Sequence, residues 1–229
     1  MSFADKVLNF HKNLIPDWKL PLGFGLLYPY DNPETWAAMT AYYQKFYADD
    51  APRTFLLGIN PGRFGAGITG VPFTDPIRLQ DFCDIKNDFK KSRELSSIFV
   101  WDFIEALGGA EAFHARFYIS SVCPLGFVKD GKNINYYDDK ALQNAVEPHI
   151  ISNLKTQIEF GCNRDAVLIL GQGKNYKYFK KMNERLGLWK EVIPLPHPRW
   201  VMQYRLKRKE KFLGMYVEAL DKYSVRQSH

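Results

Sequence analysis

Gly58-Ile59-Asn60-Pro61-Gly62-Arg63-Phe64-Gly65-Ala66-Gly67, running on to Thr69-Gly70-Val71-Pro72-Phe73, follows directly on Thr54-Phe55-Leu56-Leu57. The run before it is β-branched, aromatic and aliphatic, the pattern of a buried strand. A strand therefore ends abruptly in a loop holding five glycines, two prolines and one Asn. Glycine admits positive φ and lets a backbone approach a ligand closely, and proline keeps such a loop stiff. Open α/β sheets bind ligands at the carboxyl ends of their strands. A stiff loop with one amide and two rings, Phe64 and Phe73, suits a flat aromatic ligand.

Three more strands lie downstream, at Phe117–Ile119, Ala166–Leu170 and Lys190–Leu195. Helices are expected between and around them. An amphipathic one covers Ser2 to Leu14, and a second starts at Asn32-Pro33-Glu34, where Asn caps and Pro suits the first helical position. A third spans Ser92 to Leu107, with Leu95, Ile98, Trp101, Ile104 and Leu107 on one face and Gly108-Gly109 ending it. A fourth runs from Asp138 to Phe160, with Pro148 expected to kink or break it. A basic helix covers Lys174 to Leu186, and a last one runs from about Tyr204 to Tyr223 with Phe212, Leu213, Tyr216 and Leu220 inward. The segment Asp75 to Lys91 reads as a polar stretch. Strand and helix alternate, which implies an α/β domain with a central, mainly parallel, four-stranded sheet flanked by helices. The strand-end loops would then gather Asn60, Ser121, Gly171 and His197 in one crevice.

A chain of 229 residues fits one domain, with residues 1–27 as a helical extension packed on it. Hydrophobic residues make up 46%, enough for a sizeable core. The net charge of +6 fits a polyanionic partner without requiring one. Cys83, Cys123 and Cys162 are odd in number and far apart, which argues against a disulfide framework, a zinc site or an iron–sulfur cluster. Reduced thiols point to the cytoplasm. The N-terminus lacks the apolar core of a signal peptide, and no apolar run is long enough to span a membrane.

Each candidate residue has two readings. Asn60 is either a turn residue tolerant of left-handed geometry or an amide that orients a water. An amide is a poor general base, so the substrate would have to drive the reaction through a cation-like transition state. His197 stands between Pro196 and Pro198, so its backbone is fixed. Its imidazole could donate a hydrogen bond to a departing anion. Phe64 and Phe73 are core aromatics or stacking faces for a base. Gly171-Gln172-Gly173-Lys174 lacks Walker spacing. It is a helix entry whose Gly173 and Lys174 could touch a phosphate through backbone amides. Arg199, Arg205, Lys207, Arg208, Lys209 and Lys211, interleaved with Trp200, Met202 and Tyr204, form either a solvated face or a DNA-binding edge carrying an apolar wedge.

The stretch Gly58 to Phe73 resembles the first motif of uracil-DNA glycosylases, in particular the single-strand-selective monofunctional branch. Phe117 to Leu125, ending Cys-Pro-Leu, Gly131 to Asn135, Leu168 to Gly173 and His197-Pro198 resemble further segments of that branch. The match extends over most of Tyr28 to Tyr216. The resemblance implies an enzyme that flips a damaged base out of DNA and hydrolyses its N-glycosidic bond, with no lyase step and no cofactor. It implies that Asn60 positions the water, His197 stabilises the anionic base, Phe73 stacks on it and the backbone at Ile59 meets its edge. Gly62 falls where other branches carry a bulky residue, so 5-modified uracils are admitted. Three departures stand out. Ser121 replaces an Asn that reads the uracil edge, which opens base choice toward a deaminated purine such as xanthine. His197-Pro198-Arg199 replaces His-Pro-Ser-Pro, so the wedge is built differently. Arg63 replaces a Pro and adds charge beside the pocket. The expected partner is DNA, single- or double-stranded, bound by a monomeric enzyme of a bacterial cytoplasm. A DNA-binding protein of the same fold without activity and a free-nucleoside hydrolase are the competing readings. The basic run argues against the second, because a free nucleoside needs no extended phosphate contacts.

Overall fold

The computed structural model describes residues 1–224. In chain order the elements are α1 (Phe3–Lys12), β1 (Phe24–Leu27), α2 (Pro33–Phe46), β2 (Arg53–Gly58), α3 (Ala66–Thr69), α4 (Pro76–Asp81), α5 (Leu95–Ala106), α6 (Gly109–His114), β3 (Phe117–Ser121), β4 (Gly126–Lys129), β5 (Lys132–Ile134), α7 (Lys140–Ile158), β6 (Cys162–Leu170), α8 (Lys174–Leu186), β7 (Glu191–Leu195), α9 (Pro198–Tyr204), a 3-10 turn (Leu206–Arg208) and α10 (Lys209–Tyr223).

The four strands read from the sequence form one sheet in the order β3-β2-β6-β7, and every pairing in it is parallel. β2 is buried along its whole length, as a strand covered on both faces must be. The helix starts follow local chemistry. Ser2 and Asp5 form a capping box at α1, and the Asn32 side chain accepts from the N–H groups of Glu34 and Thr35 ahead of Pro33. α1 belongs to the core rather than lying on it: Phe3 is fully buried and stacks on Tyr47.

Several expectations need correction. A second, antiparallel sheet, β1-β4-β5, was not anticipated, and its β1 makes part of residues 1–27 a strand. Its hairpin turns at Asp130-Gly131, both at positive φ, with Lys129 paired to Lys132. This is the Asp-Gly two-residue turn favoured in hairpins. α7 runs through Pro148 unbroken. Pro148 and Asn144 are both solvent-exposed, so water can bond the Asn144 carbonyl that the ring leaves without an N–H. α5 begins at Leu95, which is itself exposed. Its buried side includes Ser96, Ser97, Phe99 and Phe103 besides Trp101 and Ile104, because α6, α9 and α10 all pack around it. α4 interrupts the polar stretch with Asp75 as its cap. The helix expected from about Tyr204 becomes α-helical only at Lys209, behind the 3-10 turn, and α9, a further helix outside that expectation, takes up the segment right after His197.

Candidate active site

The carboxyl ends of β2, β6 and β7 open into a cavity of about 540 Å³. Ile59 to Gly62 and Phe73 form one side, Gly171 to Asn175 the floor, and Pro196, His197, Arg199, Trp200, Gln203 and Tyr204 the other side. Asn133, Ile134, Asn135 and Tyr137 enter from β5 and the turn after it, and Glu94 and Ser96 from the start of α5.

Asn60 does not float in its turn. Its Oδ1 accepts from the backbone N–H of Tyr136 at 3.2 Å, and its Nδ2 donates to the carbonyls of Pro61 at 3.3 Å and Ile134 at 3.4 Å. The β5 segment thus clamps both ends of the amide and defines which way it faces. One lone pair of Oδ1 is already used; the second can accept from a water or hydroxyl. A Cβ at Gly62 would lie 3.4 Å from the Asn133 amide nitrogen, so this edge stays open only while residue 62 is small.

The far end of the glycine loop is held with equal care. Phe73 takes φ +54, an unusual value for an aromatic residue. Thr69 Oγ1 donates to the Thr74 carbonyl at 2.7 Å, and Trp101 Nε1 donates to Thr74 Oγ1 at 3.4 Å. The Phe73 ring lies over Gly58, where a Cβ would come within 2.8 Å of it, and its centroid is 6.2 Å from that of His197. At Gly65 the crowding comes from a side chain: a Cβ there would overlap the Glu94 carboxylate as it is placed, so that side chain would have to move. Burial pushes the Glu94 carboxyl up and Asp75 adds to that, while Ser96 and Arg199 oppose it.

His197 caps α9. Its Nδ1 accepts from the backbone N–H of Arg199 at 3.1 Å, and Pro198 occupies the first helical position. An N–H can only donate, so Nδ1 carries no proton and a neutral ring must hold its proton on Nε2. Burial, helped by the Arg199 charge, lowers its pKa to about 4. At neutral pH the ring is therefore an uncharged donor through Nε2. The buried Tyr216 hydroxyl of α10 donates to the Pro196 carbonyl and anchors the turn.

Of the residues singled out from the sequence, Ile59, Asn60, Gly62, Phe73, Gly173, Lys174, His197 and Arg199 line the cavity together. Ser121 does not, which corrects the expectation that all four strand ends share the crevice. β3 is the outermost strand on its side, and the chain after it keeps pairing along the loop of β2 through Val122 N–H to Gly58 and Cys123 N–H to Ile59. Ser121 is itself paired with Gly58, over which Phe73 lies, and is buried. Phe64 is 54% exposed and off the cavity, with the Arg63 guanidinium 5.1 Å from its ring centroid. Arg205, just before the 3-10 turn, and Lys207, within it, are exposed and outside the cavity lining, with the Arg205 guanidinium 4.7 Å from the Trp200 ring centroid. The sequence reading gave no role to Glu94 or Asn175, and it held Asn133 only within the Gly131–Asn135 resemblance and Tyr204 only within the basic edge. The Asp130-Gly131 turn signalled the hairpin that brings in Asn133. Among the described residues, no group of three or more His, Cys, Asp or Glu could hold a metal ion, and no helix is long and apolar enough to cross a membrane.

The family model of the uracil DNA glycosylase superfamily matches residues 44–221. The chain is also similar to a solved structure, wild-type SMUG2 of Pedobacter heparinus. The two share 44% identity at a TM-score of 0.94, over 97% of this chain and 98% of that one.

Proposed function

The chain belongs to the uracil DNA glycosylase superfamily and is a monofunctional DNA N-glycosylase, and from that premise we propose how its cavity takes a base and cleaves the bond that joins it to the sugar. The substrate is DNA carrying uracil or a related deaminated or 5-modified base, xanthine included. The flipped base enters between Phe73 and the α9 side, with its ring stacked on Phe73 and its 5-edge toward Gly62. Flipping costs a few kcal/mol of lost stacking and pairing. Tyr204, exposed at the cavity edge, and the exposed Leu206 two residues on, are the candidates to fill the gap in the helix. Arg199, Arg205 and Lys207, the Lys174 ammonium and the free backbone N–H groups at the start of α8 hold phosphates, and the enzyme works as a monomer.

In the reaction the C1′–N bond breaks and its electron pair goes to the base. The water held by the free lone pair of Asn60 Oδ1 bonds to C1′ and its proton passes to solvent. Because Asn60 cannot take that proton, the oxocarbenium character of the sugar supplies the driving force. His197 Nε2–H donates to the base oxygen on which negative charge develops. The observation that carries this reading is the Arg199 N–H bond to His197 Nδ1, which leaves one ring nitrogen to face a ligand and requires it to donate.

The test is incubation with oligonucleotides containing uracil, hydroxymethyluracil, xanthine or hypoxanthine, followed by alkaline cleavage of abasic sites. Alkali-sensitive strands are expected from at least the uracil substrate. Intact strands from all four would defeat the reading.

A further inference from the structure

Asn175, the second residue of α8, is 1% exposed. Its Oδ1 accepts from the Tyr136 hydroxyl at 2.6 Å, which turns its Nδ2 away from Tyr136. That Nδ2 has no hydrogen-bond partner among the described residues. A buried amide N–H₂ left unpaired costs roughly 1–3 kcal/mol, so such a group calls for an explanation.

Its surroundings supply one. Asn175 lines the same cavity as His197 and Gly171. A Cβ at Gly171 would lie 3.9 Å from Asn175 Nδ2 and 3.8 Å from His197 Cδ2, the ring carbon next to Nε2. The free amide and the imidazole edge next to Nε2 therefore lie on either side of Gly171, where a side chain would touch both. Gly171 also sits at φ +134, which favours glycine. Tyr136 ties the two halves together, since its backbone N–H holds Asn60 while its hydroxyl holds Asn175.

We propose that Asn175 is a second donor to the departing base, its Nδ2–H bonding the oxygen that gains negative charge alongside His197 Nε2–H. This rests on the glycosylase reading of the cavity. Two neutral donors on one developing oxyanion stabilise the transition state more than the ground state, where that oxygen is an uncharged carbonyl. No proton moves to or from Asn175. With Ser121 outside the cavity, Asn175 is also a side-chain amide able to meet the base from the floor.

The test is single-turnover excision of uracil and of 5-fluorouracil by the wild type, Asn175→Ala and Asn175→Asp, with affinity measured on a 2′-fluoro uracil substrate that resists cleavage. Fluorine stabilises the departing anion, so its excision depends less on donors. Loss of one hydrogen bond to a charged group predicts uracil excision slowed about 10- to 100-fold in both variants. The loss on 5-fluorouracil is expected to be at least about threefold smaller. Affinity for the resistant substrate should stay within about threefold. Asn175→Asp keeps the acceptor for Tyr136, so it reports on the donor even if Asn175→Ala fails to fold. An equal loss on both bases marks a packing role and overturns the proposal, as does unimpaired excision of uracil. An inactive wild type would instead defeat the glycosylase reading; an active wild type with unimpaired variants defeats this inference alone.

Discussion

The two sides of the cavity are built on opposite principles. On the β2 side, the glycine loop and the β5 segment hold Asn60 and Phe73 through buried or half-buried hydrogen bonds between neutral groups. On the α9 side, past His197, the chain presents Trp200, Tyr204, Arg205, Leu206 and Lys207 to solvent. A buried, bonded side chain keeps its direction but costs desolvation; an exposed cation keeps its hydration and acts at longer range. The contrast separates the roles: chemistry depends on the neutral, oriented groups, with His197 at the root of α9 among them, and capture of the polyanion depends on the exposed, charged segment beyond it.

The strongest way to break that comparison is Asn60→Ala. Loss of the water's anchor should slow single-turnover excision on the order of 10³-fold, since positioning effects reach this size, while DNA affinity stays near wild type. Equal losses of rate and affinity would show that the two sides do not divide the work. His197→Ala should follow with a loss on the order of 10²-fold, the usual cost of removing one donor to a developing anion.

The pH profile sharpens the same point. His197 titrates near 4, so the ring stays neutral and Nδ1 keeps accepting from Arg199 through the range where a free histidine would charge. Excision should be flat from about pH 8 to about pH 5.5 and fall only as pH drops toward about 4, where Nδ1 gains a proton. A rate that changes through about pH 6.5 would show an ordinary, solvated imidazole. Smallest are the effects on the charged side. Arg205→Ala and Lys207→Ala should each weaken binding a few-fold, uniformly across sequences, and reduce the slope of log affinity against log salt by about 1. Bound-state excision should not change. Salt-insensitive binding by the wild type would remove the electrostatic role of this edge.

The sequence alone located all four parallel strands, because each is a short apolar run ended by Gly, Pro or a polar residue, as Leu57-Gly58 and Leu195-Pro196 illustrate. It located Asn60 and His197 for the same reason: both follow such a strand directly, and strand ends in a parallel sheet converge. Less was legible where a local signal is ambiguous. The Pro198 that starts α9 looked like a rigid turn residue, although Pro at the first helical position is also a helix start. Ser121 was placed in the crevice by the same strand-end rule that worked for Asn60. The rule fails there because β3 lies at the sheet edge and its loop turns back along β2.

What the sequence by itself determined is the sheet, the glycine loop and the two residues that stand at strand ends, all of which follow from hydrophobic pattern and backbone restriction over a few neighbours. What only the tertiary structure decided is how those residues face. The Asn60 amide is oriented by Tyr136, 76 positions away, and the Asn175 amide by the same tyrosine, 39 positions away. Which nitrogen of His197 donates depends on the N–H that α9 presents to it. A hydrogen bond is directional and its partner is chosen by packing rather than by proximity in the chain, so residue types can be read along a sequence while their orientation waits for the fold.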